Sequence, residues 1–500
     1  MKRRSFVRST LAASAVLAIP RRPLEAFYRE ALSKPRALTA VTGDGRDVTL
    51  SSAAIADLKG RLRGRLLLAD DSGYDQARRI LNPSFDKYPA LVVQPTGVAD
   101  IRTAVDFARD NGGLLLAVKC GGHSHSGKST CDRGMQIDLS RFRDVRVDLS
   151  AQTGRVTGGS LLGQLDHEAM AHGLVVPMGT VSHTGVGGLV TGGGFGRLAR
   201  RFGLSVDSLL SVDVVTADSE LRHASASENP GLFWGVRGGG GNFGIVTSFQ
   251  FQLHAMQRQV LGGAIFFPLS RARDVLRLYG DYGPEQPDEL QLDLIMAQSP
   301  GGPPVAGFGV CYSGDPNKAE AALAPVRGLG TPIIDSVAPT DYVALQRSGD
   351  TDDPRAVAGY MKSGFLTEMP QGLIDALVEG FQGHPDRTTQ VVFQQSGGKI
   401  ARVSPDATAF AQRDAIANML PSVGWSYGDN PDEHIAWCRE YWTHLEPFTH
   451  GFYTNDGDEE ATNESVAENY QQNIERLTEV KNRYDPENLF RLNANVLPTV

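Results

Sequence analysis

Cysteine is scarce in this chain. Its 500 residues hold four, Cys120, Cys131, Cys311 and Cys438, and no two form a CxxC pair. A structural zinc site needs clustered thiolate or imidazole ligands, so no metal is expected. The four read as buried free thiols, with pairing in an oxidising compartment left open. Surplus positive charge is missing as well, since the net charge is -8. Phosphate backbones are bound through basic patches, so nucleic acid is not expected as a partner. Low-complexity tails and internal repeats are also lacking. What remains is ordinary globular composition, 41% hydrophobic and 21% charged. Glycine is the exception. There are 56, well above the usual share of about 7%, and they are clustered. At about 150 residues per domain, the length allows three domains or two large ones.

Residues 1–35 read as a leader and N-terminal segment. Arg3-Arg4-Ser5-Phe6 precede a weakly apolar run from Leu11 to Ile19. Twin arginines in that setting are the pattern of a twin-arginine export signal. The run falls short of the roughly 20 residues that a membrane span needs. Export by this route carries folded proteins and predicts a periplasmic or extracellular location. Without a working leader the chain stays cytoplasmic.

Hydrophobic patterning supplies the elements. Residues 91–93 predict a short buried strand. Val98, Ile101, Val105 and Ala108 recur at spacings of three and four, a helix that Asn111-Gly112 ends. Residues 114–118 are the next strand, which runs straight into Gly121-Gly122-His123. Further strands are expected at 135–139, 145–147 and 155–157, and a helix through Leu162, Leu165 and Met170. Residues 212–216 and 221–223 read as a hairpin across Ala217-Asp218-Ser219. After about residue 256, strands at 290–297 and 307–312 alternate with helices such as 371–381. That predicts a second α+β domain with a sheet of its own. Near the end, Tyr470, Ile474, Leu477 and Val480 form one helical stripe, stopped by Asp485-Pro486.

The glycines fall into three clusters. The first is Lys119-Cys120-Gly121-Gly122-His123-Ser124 on to Gly127. The second runs from Gly179-Thr180-Val181-Ser182-His183-Thr184-Gly185 through Gly187-Gly188 to Gly193-Gly194-Phe195-Gly196. The third is Gly238 to Gly241, then Asn242-Phe243-Gly244-Ile245. Glycine lets the backbone approach a ligand closely, and successive N–H groups cradle a pyrophosphate. A Rossmann site would place GxGxxG between a first strand and its helix. These clusters are long and placed otherwise. They predict a cage of loops around an extended dinucleotide.

This arrangement resembles the berberine-bridge-enzyme-like FAD-linked oxidases of the vanillyl-alcohol oxidase (PCMH-type) flavoprotein family. Pro89-Ala90-Leu91-Val92-Val93-Gln94-Pro95, the helix and Gly121-Gly122-His123 are similar to that family's FAD-binding module. The later clusters match in order and spacing. Asn229-Pro230-Gly231-Leu232-Phe233-Trp234 and the tail from Tyr484 to Asn495 match too. The likeness covers about residues 85–255 and 450–500, and is loose between. It implies an α+β fold: a PCMH-type FAD-binding domain in two subdomains (36–255), an α+β substrate domain with its own antiparallel sheet (256–450), and a C-terminal segment (451–500) returning to the first. It implies FAD bonded through its 8α-methyl carbon to His123. The other implied FAD contacts are Lys119, Cys120, Gly121, Gly122, Ser124, Gly127, Gly179, Thr180, Val181, Gly185, Gly187, Gly188, Gly193, Gly194, Gly196, Ile245, Asn493 and Asn495.

The chain also departs from the family pattern. Lys119 and Cys120 stand where Arg and Ser are usual. Val181 stands where many members carry a second, cysteinyl flavin link, and valine cannot form a thioether. A monocovalent FAD is therefore implied, similar to that of bacterial hydroxynicotine oxidases. The family's Tyr-x-Asn-Tyr reads Tyr453-Thr454-Asn455-Asp456 here, so Asp456 replaces a tyrosine that often takes part in proton abstraction. The other polar positions of plant-type members fall on Ser396 and near Met419, so no base is carried over. Candidate bases are Asp456, Tyr453 and His183. Asp456 begins an acidic run to Glu460 that also reads as a solvated turn, and Tyr453 also reads as packing. Tyr360 and Lys362, alternating on one strand face, are candidate substrate-binding residues. The implied reaction is hydride transfer from an alcohol or amine carbon of a small molecule to the flavin, with dioxygen or another acceptor taking the electrons. Thr184, at the position that governs dioxygen access in the family, leaves oxidase and dehydrogenase both open. The lost base motif leaves open a flavin-binding protein without catalysis.

Overall fold

The structure is a computed structural model that describes residues 37–351, 355, 357–456 and 461–500. The twin-arginine leader and the acidic stretch after Asp456 lie outside the described residues.

Strand Leu91–Gln94 is buried along its whole length. It sits inside a four-stranded sheet ordered Arg65–Leu67, Leu91–Gln94, Met135–Asp138, Leu116–Lys119. Its pairing with Met135–Asp138 is parallel, as is that of Leu116–Lys119. Parallel strands need a crossover connection, and helix Val98–Asp110 supplies it. Ile101, Ala104, Val105 and Ala108 are fully buried in this core. Asp100 stands in the helix's first turn, where a carboxylate suits the macrodipole. It accepts the N–H groups of Arg63 at 2.8 Å and Gly64 at 3.0 Å, which fixes the helix to the turn that leads into strand Arg65–Leu67.

A five-stranded antiparallel sheet is ordered Leu221–Ser225, Leu209–Val215, Ile245–Gln252, Thr153–Thr157, Val145–Asp148. The expected hairpin forms, with Val215 opposite Leu221. Ser219 turns it at φ +62°.

Residues from Gln259 to Ser426 contribute a nine-stranded antiparallel sheet among the described residues. Along its strand Arg387–Gln395, buried and half-buried residues alternate, as period two requires. Val391 and Phe393 join a core with Leu373 and Leu377 of helix Gln371–Gly380 and Leu445 of helix Asp432–Leu445. Gln394 belongs to the other face. The neighbouring strand Ala417–Ser426 pairs Met419 with Phe393 and Asn418 with Gln394. Met419 is thus core, and Asn418 shares the face of Gln394.

The C-terminal residues return to the glycine clusters. The single helical stripe expected there is two helices, Asn463–Tyr470 and Ile474–Tyr484. The break falls at Gln471, whose φ is +48°. No glycine or proline marks it, so periodicity read straight through. Asp485 ends the second helix and forms a fully buried ion pair with Lys481 at 2.7 Å. The Lys481 ammonium also donates to the carbonyls of Asn242 at 2.9 Å and Phe490 at 3.0 Å. Asp485 accepts the N–H groups of Leu489 and Phe490. Those donors and acceptors offset the cost of burying two charges, several kcal/mol per ion. They also tie the tail to the third glycine cluster.

No helix among the described residues is long and apolar enough to cross a membrane, and they contain no cluster of metal-ligating side chains. All four cysteines are free thiols.

Candidate active site

Strand Leu116–Lys119 delivers the first glycine cluster. A Cβ on Gly121 would lie 2.3 Å from the backbone nitrogen of Gly185, so the first two clusters touch backbone to backbone. Gly122, at φ +76°, then turns the chain into His123. Together the clusters enclose a cavity of about 360 Å³. Cys120, Gly121, Gly122, His123 and Ser124 line it from the first cluster, and Gly179, Thr180, Val181, Thr184, Gly185, Gly187 and Gly188 from the second. Ile245 and Asn493 complete this part of the wall. Gln394, Tyr453, Thr454, Asn455 and Asp456 contribute the rest of interest here.

The lining suits a long polar ligand. The oxygens of Ser129, Thr454 and Asn493 are buried in it without a partner among the described residues. Buried polar atoms are nearly always hydrogen-bonded, so these await a polar partner. Gly188 faces open space, where any larger side chain would project into the cradle.

His123 is held by two neighbours. Its Nε2 lies 2.6 Å from Nδ1 of His183, and its Nδ1 lies 3.2 Å from the hydroxyl of Thr184. Burial, then His183 and His125, pull its pKa down to about 3, so the ring is neutral at ordinary pH. Asp456 is the other group of note. Asn418 donates to its Oδ2 at 2.8 Å. Burial raises its pKa to about 7 against the opposing effect of that bond. It is a buried carboxyl, not part of a solvated turn. Tyr453 lies beside it, and its hydroxyl accepts from the N–H of Gly194 at 2.8 Å and from Asn455 at 2.7 Å. Burial and the Asp456 carboxylate push that phenol far up, so it stays protonated.

Other expected contacts stand back from the cavity. The Lys119 ammonium is turned to the Ala77 carbonyl and lies 3.5 Å from Asp138, bracing the strand end. Gly127 packs on Phe85, Gly193 on Phe410, and Gly196 on the Met178 carbonyl. Gly194 reaches the site through Tyr453. The Asn495 side-chain oxygen is buried without a partner among the described residues. Cys120 lines the cavity, but burial raises its thiol to about 11 and keeps it from forming the thiolate. His183 stands behind His123 rather than in the lining. Tyr360 and Lys362 are not brought to the cavity. Tyr360 packs with Trp425 and Cys438 and lies under the Arg439 guanidinium. Lys362 falls just beyond the end of strand Val357–Met361, where its N–H donates to Pro421. Its ammonium lies 6.0 Å from the centre of the Tyr360 ring, so the two residues do stay together, but beside the Trp425 and Cys438 cluster and not in the cavity lining.

The comparisons agree with this architecture. A model described as an FAD binding domain matches residues 89–225, and one described as berberine and berberine like matches 452–497. The (R)-6-hydroxynicotine oxidase of Paenarthrobacter nicotinovorans is 31% identical over 456 residues, covering 87% of this chain and 97% of that one. This chain belongs to the berberine-bridge-enzyme-like family of FAD-linked oxidoreductases. A family relative from Dictyostelium discoideum, an FAD-linked oxidoreductase, is 31% identical over 418 residues, 82% of this chain and 89% of its own. The crystal structure of 6-hydroxy-D-nicotine oxidase from Arthrobacter nicotinovorans matches with a TM-score of 0.79 at 29% identity, covering 87% of this chain and 98% of that one. The chain is thus an enzyme, an FAD-linked oxidoreductase.

Sequence reasoning missed Asn418 and Gln394. Asn418 donates to Gln394 at 2.9 Å as well as to Asp456, so both its amide hydrogens are used. The motif alignment had reached Met419, one residue and therefore one sheet face away. Asp350 was missed too. It arrives from the segment after helix Tyr342–Arg347 and takes the Ser182 N–H at 2.9 Å. Nothing local in the chain marks that meeting.

Proposed function

We propose that this enzyme oxidises an alcohol or amine carbon of a small molecule, with FAD tethered through His123 alone and dioxygen as the electron acceptor. The observation that carries the reading is one cavity lined both by the neutral imidazole of His123 and by the buried carboxyl of Asp456. When bound there, FAD supplies a two-electron acceptor for the substrate's hydride. The glycine clusters and Asn493 would hold it, with Ile245 against it. Val181 and the protonated Cys120 speak for one tether. Asp456 is the base: Asn418 occupies Oδ2, and Oδ1 receives the hydroxyl or amine proton. A pKa of about 7 is well matched to taking up and releasing a proton near neutrality. Tyr453, kept a neutral phenol by burial and by the neighbouring Asp456 and fixed in place by two donors, orients the substrate. The walls exclude water from the carboxyl, which is 9% exposed.

Relatives named for hydroxynicotine, xylooligosaccharide and glucooligosaccharide oxidation suggest where to look for the substrate. The test is an anaerobic screen of cyclic amines, sugars and alcohols, read as bleaching of the flavin absorbance. Air is then admitted, and the return of colour with hydrogen peroxide marks dioxygen as acceptor. A reduced flavin that stays reduced in air overturns the oxidase reading. A flavin that no compound bleaches overturns the substrate classes named here.

A further inference from the structure

One row of residues crosses the nine-stranded sheet on the face away from its core, from Gly309 through Asp293 and Gln394 to Asn418. Asp293, on strand Leu290–Gln298, pairs with Gly309. On its other side Leu294 pairs with Phe393, which sets Asp293 beside Gln394, and Gln394 pairs with Asn418. Gln394 lines the cavity, and Asn418 holds Asp456. Neighbouring strands lie about 4.8 Å apart, so Asp293 and Asn418 stand about 10 Å from each other with Gln394 between them.

Asp293 is only partly satisfied. Its Oδ1 accepts the N–H of Gln395 at 3.0 Å and the Gln291 amide at 2.9 Å. Its Oδ2 has no hydrogen bond among the described residues, and the residue is half-buried rather than sealed. Burial raises its pKa above the ordinary aspartate value, against the pull of those two donors and of Arg197. Arg197 in turn reaches the cavity's edge: its Nη2 lies 3.5 Å from the carbonyl of Thr180, which lines the cavity. Gly309 leaves the sheet bare beside Asp293, since a Cβ there would meet nothing nearer than 3.8 Å. In the next row Ile295 pairs with Val392, and both are half-buried and apolar.

We propose that Asp293 binds the far end of the substrate, its Oδ2 accepting from a hydroxyl or ammonium group carried about 10 Å, two strand spacings, from the group that Asp456 deprotonates. The proposal rests on the reading of Asp456 given above. Ile295 and Val392 seat the apolar part between the two ends, and Gln394 offers its amide along the way. An acceptor that has lost water and found no partner gains by receiving a donor. A shorter substrate leaves it unpaired, which is how a site rejects an analogue that lacks one polar group. The enzyme therefore selects elongated substrates with a polar group at each end.

The test uses the flavin-loaded enzyme without air, with bleaching followed against concentration. Each long compound that bleaches the flavin, cellobiose and hexamethylenediamine first, is paired with a counterpart that stops short of Asp293, glucose or hexylamine. Wild type should favour the long member in its limiting rate divided by half-saturating concentration. Asp293→Asn should lower that preference by roughly 10- to 100-fold, the worth of a hydrogen bond to a charged group. The loss should fall on the half-saturating concentration and not on the limiting rate, because the far end is bound alike before and during reaction. Asparagine keeps an oxygen for Gln395 and Gln291, so a purely structural role would leave the preference unmoved. Gly309→Val, which fills the bare sheet without touching the charge, should lower it too. Sodium chloride separates the two donors, weakening the binding of an ammonium end and sparing a hydroxyl end. A preference that survives Asp293→Asn overturns the proposal, as do hits that all lack a second donor. If Asp293→Asn does not fold, Gly309→Val decides, and an unchanged preference there refutes the role. If no compound of any length bleaches the flavin, the function proposed above falls instead.

Discussion

Replacing Asp456 with asparagine should change how both stability and catalysis depend on pH. The carboxyl is 9% exposed, and burial holds its pKa at about 7 against the 3.8 of an ordinary aspartate. A shift of about three units, at 1.36 kcal/mol each, is about 4 kcal/mol in favour of the protonated folded form. The folded chain keeps this proton up to about pH 7, whereas the unfolded chain releases it near pH 4. Stabilisation from this residue is therefore complete below about pH 4 and lost as pH rises through 7. Asparagine has no proton to lose and can still accept from Asn418. Between pH 4.5 and pH 8, the variant should gain on wild type by about 3 kcal/mol, since part of the effect is already lost at pH 4.5, read from denaturant unfolding of the two proteins side by side.

Catalysis runs the opposite way. The base works only when ionised, so wild-type flavin reduction should rise with pH through about 7. In Asp456→Asn it should be lower by roughly 100-fold or more at pH 8, and flat with pH. An unfolding difference that is the same at both pH values would refute the buried, protonated carboxyl. A variant that reduces its flavin at the wild-type rate, while Tyr453→Phe does not, would make Tyr453 the base.

Three further outcomes are expected. Flavin should stay with the wild-type chain after acid precipitation and leave His123→Ala, and peptide masses should place it on the His123 peptide and on none containing Cys120. Gly121→Ala should cost about 1–3 kcal/mol in unfolding, the usual penalty of overpacking, because its Cβ would meet the Gly185 backbone at 2.3 Å; Gly188→Val has open space before it and, made in the His123→Ala background where FAD is held reversibly, should leave folding intact and weaken FAD binding by roughly tenfold, or 1.4 kcal/mol. Replacing Arg3 and Arg4 with lysine should hold the protein in the cytoplasm, and an unchanged distribution on fractionation would discard the export signal.

Much of the fold was readable because its signals are local. The strand, helix and strand around residues 91–119 follow from runs of apolar residues and their spacing. So does the hairpin across Ala217-Asp218-Ser219. The break at Gln471 was not readable, since a residue without a turn preference adopts positive φ there. The same division holds in the site. His123, the glycine clusters and the Tyr453 to Asp456 motif are contiguous in the chain, so their chemistry and family likeness could be read directly.

Which of those residues meet was a different matter. Composition placed Asp456 at the head of an acidic run, where a solvated turn was as natural as a base. Its burial, and its altered acidity, come from walls that other segments build. Asn418 and Gln394 reach it because two strands pair in one register, with period two putting both on the face away from the core. His183 stands behind His123 rather than in the cavity wall, and Asp350, the carboxylate on its far side, lies 168 residues from its partner Ser182. Tyr360 and Lys362 stay neighbours as alternation predicts, but the sheet carries them to the Trp425 and Cys438 cluster and not to the cavity. Residue type and local spacing carry reactivity and backbone preference along the chain. Burial, proton affinity and partnership depend on distances between segments remote in sequence, and only the packed structure decides those.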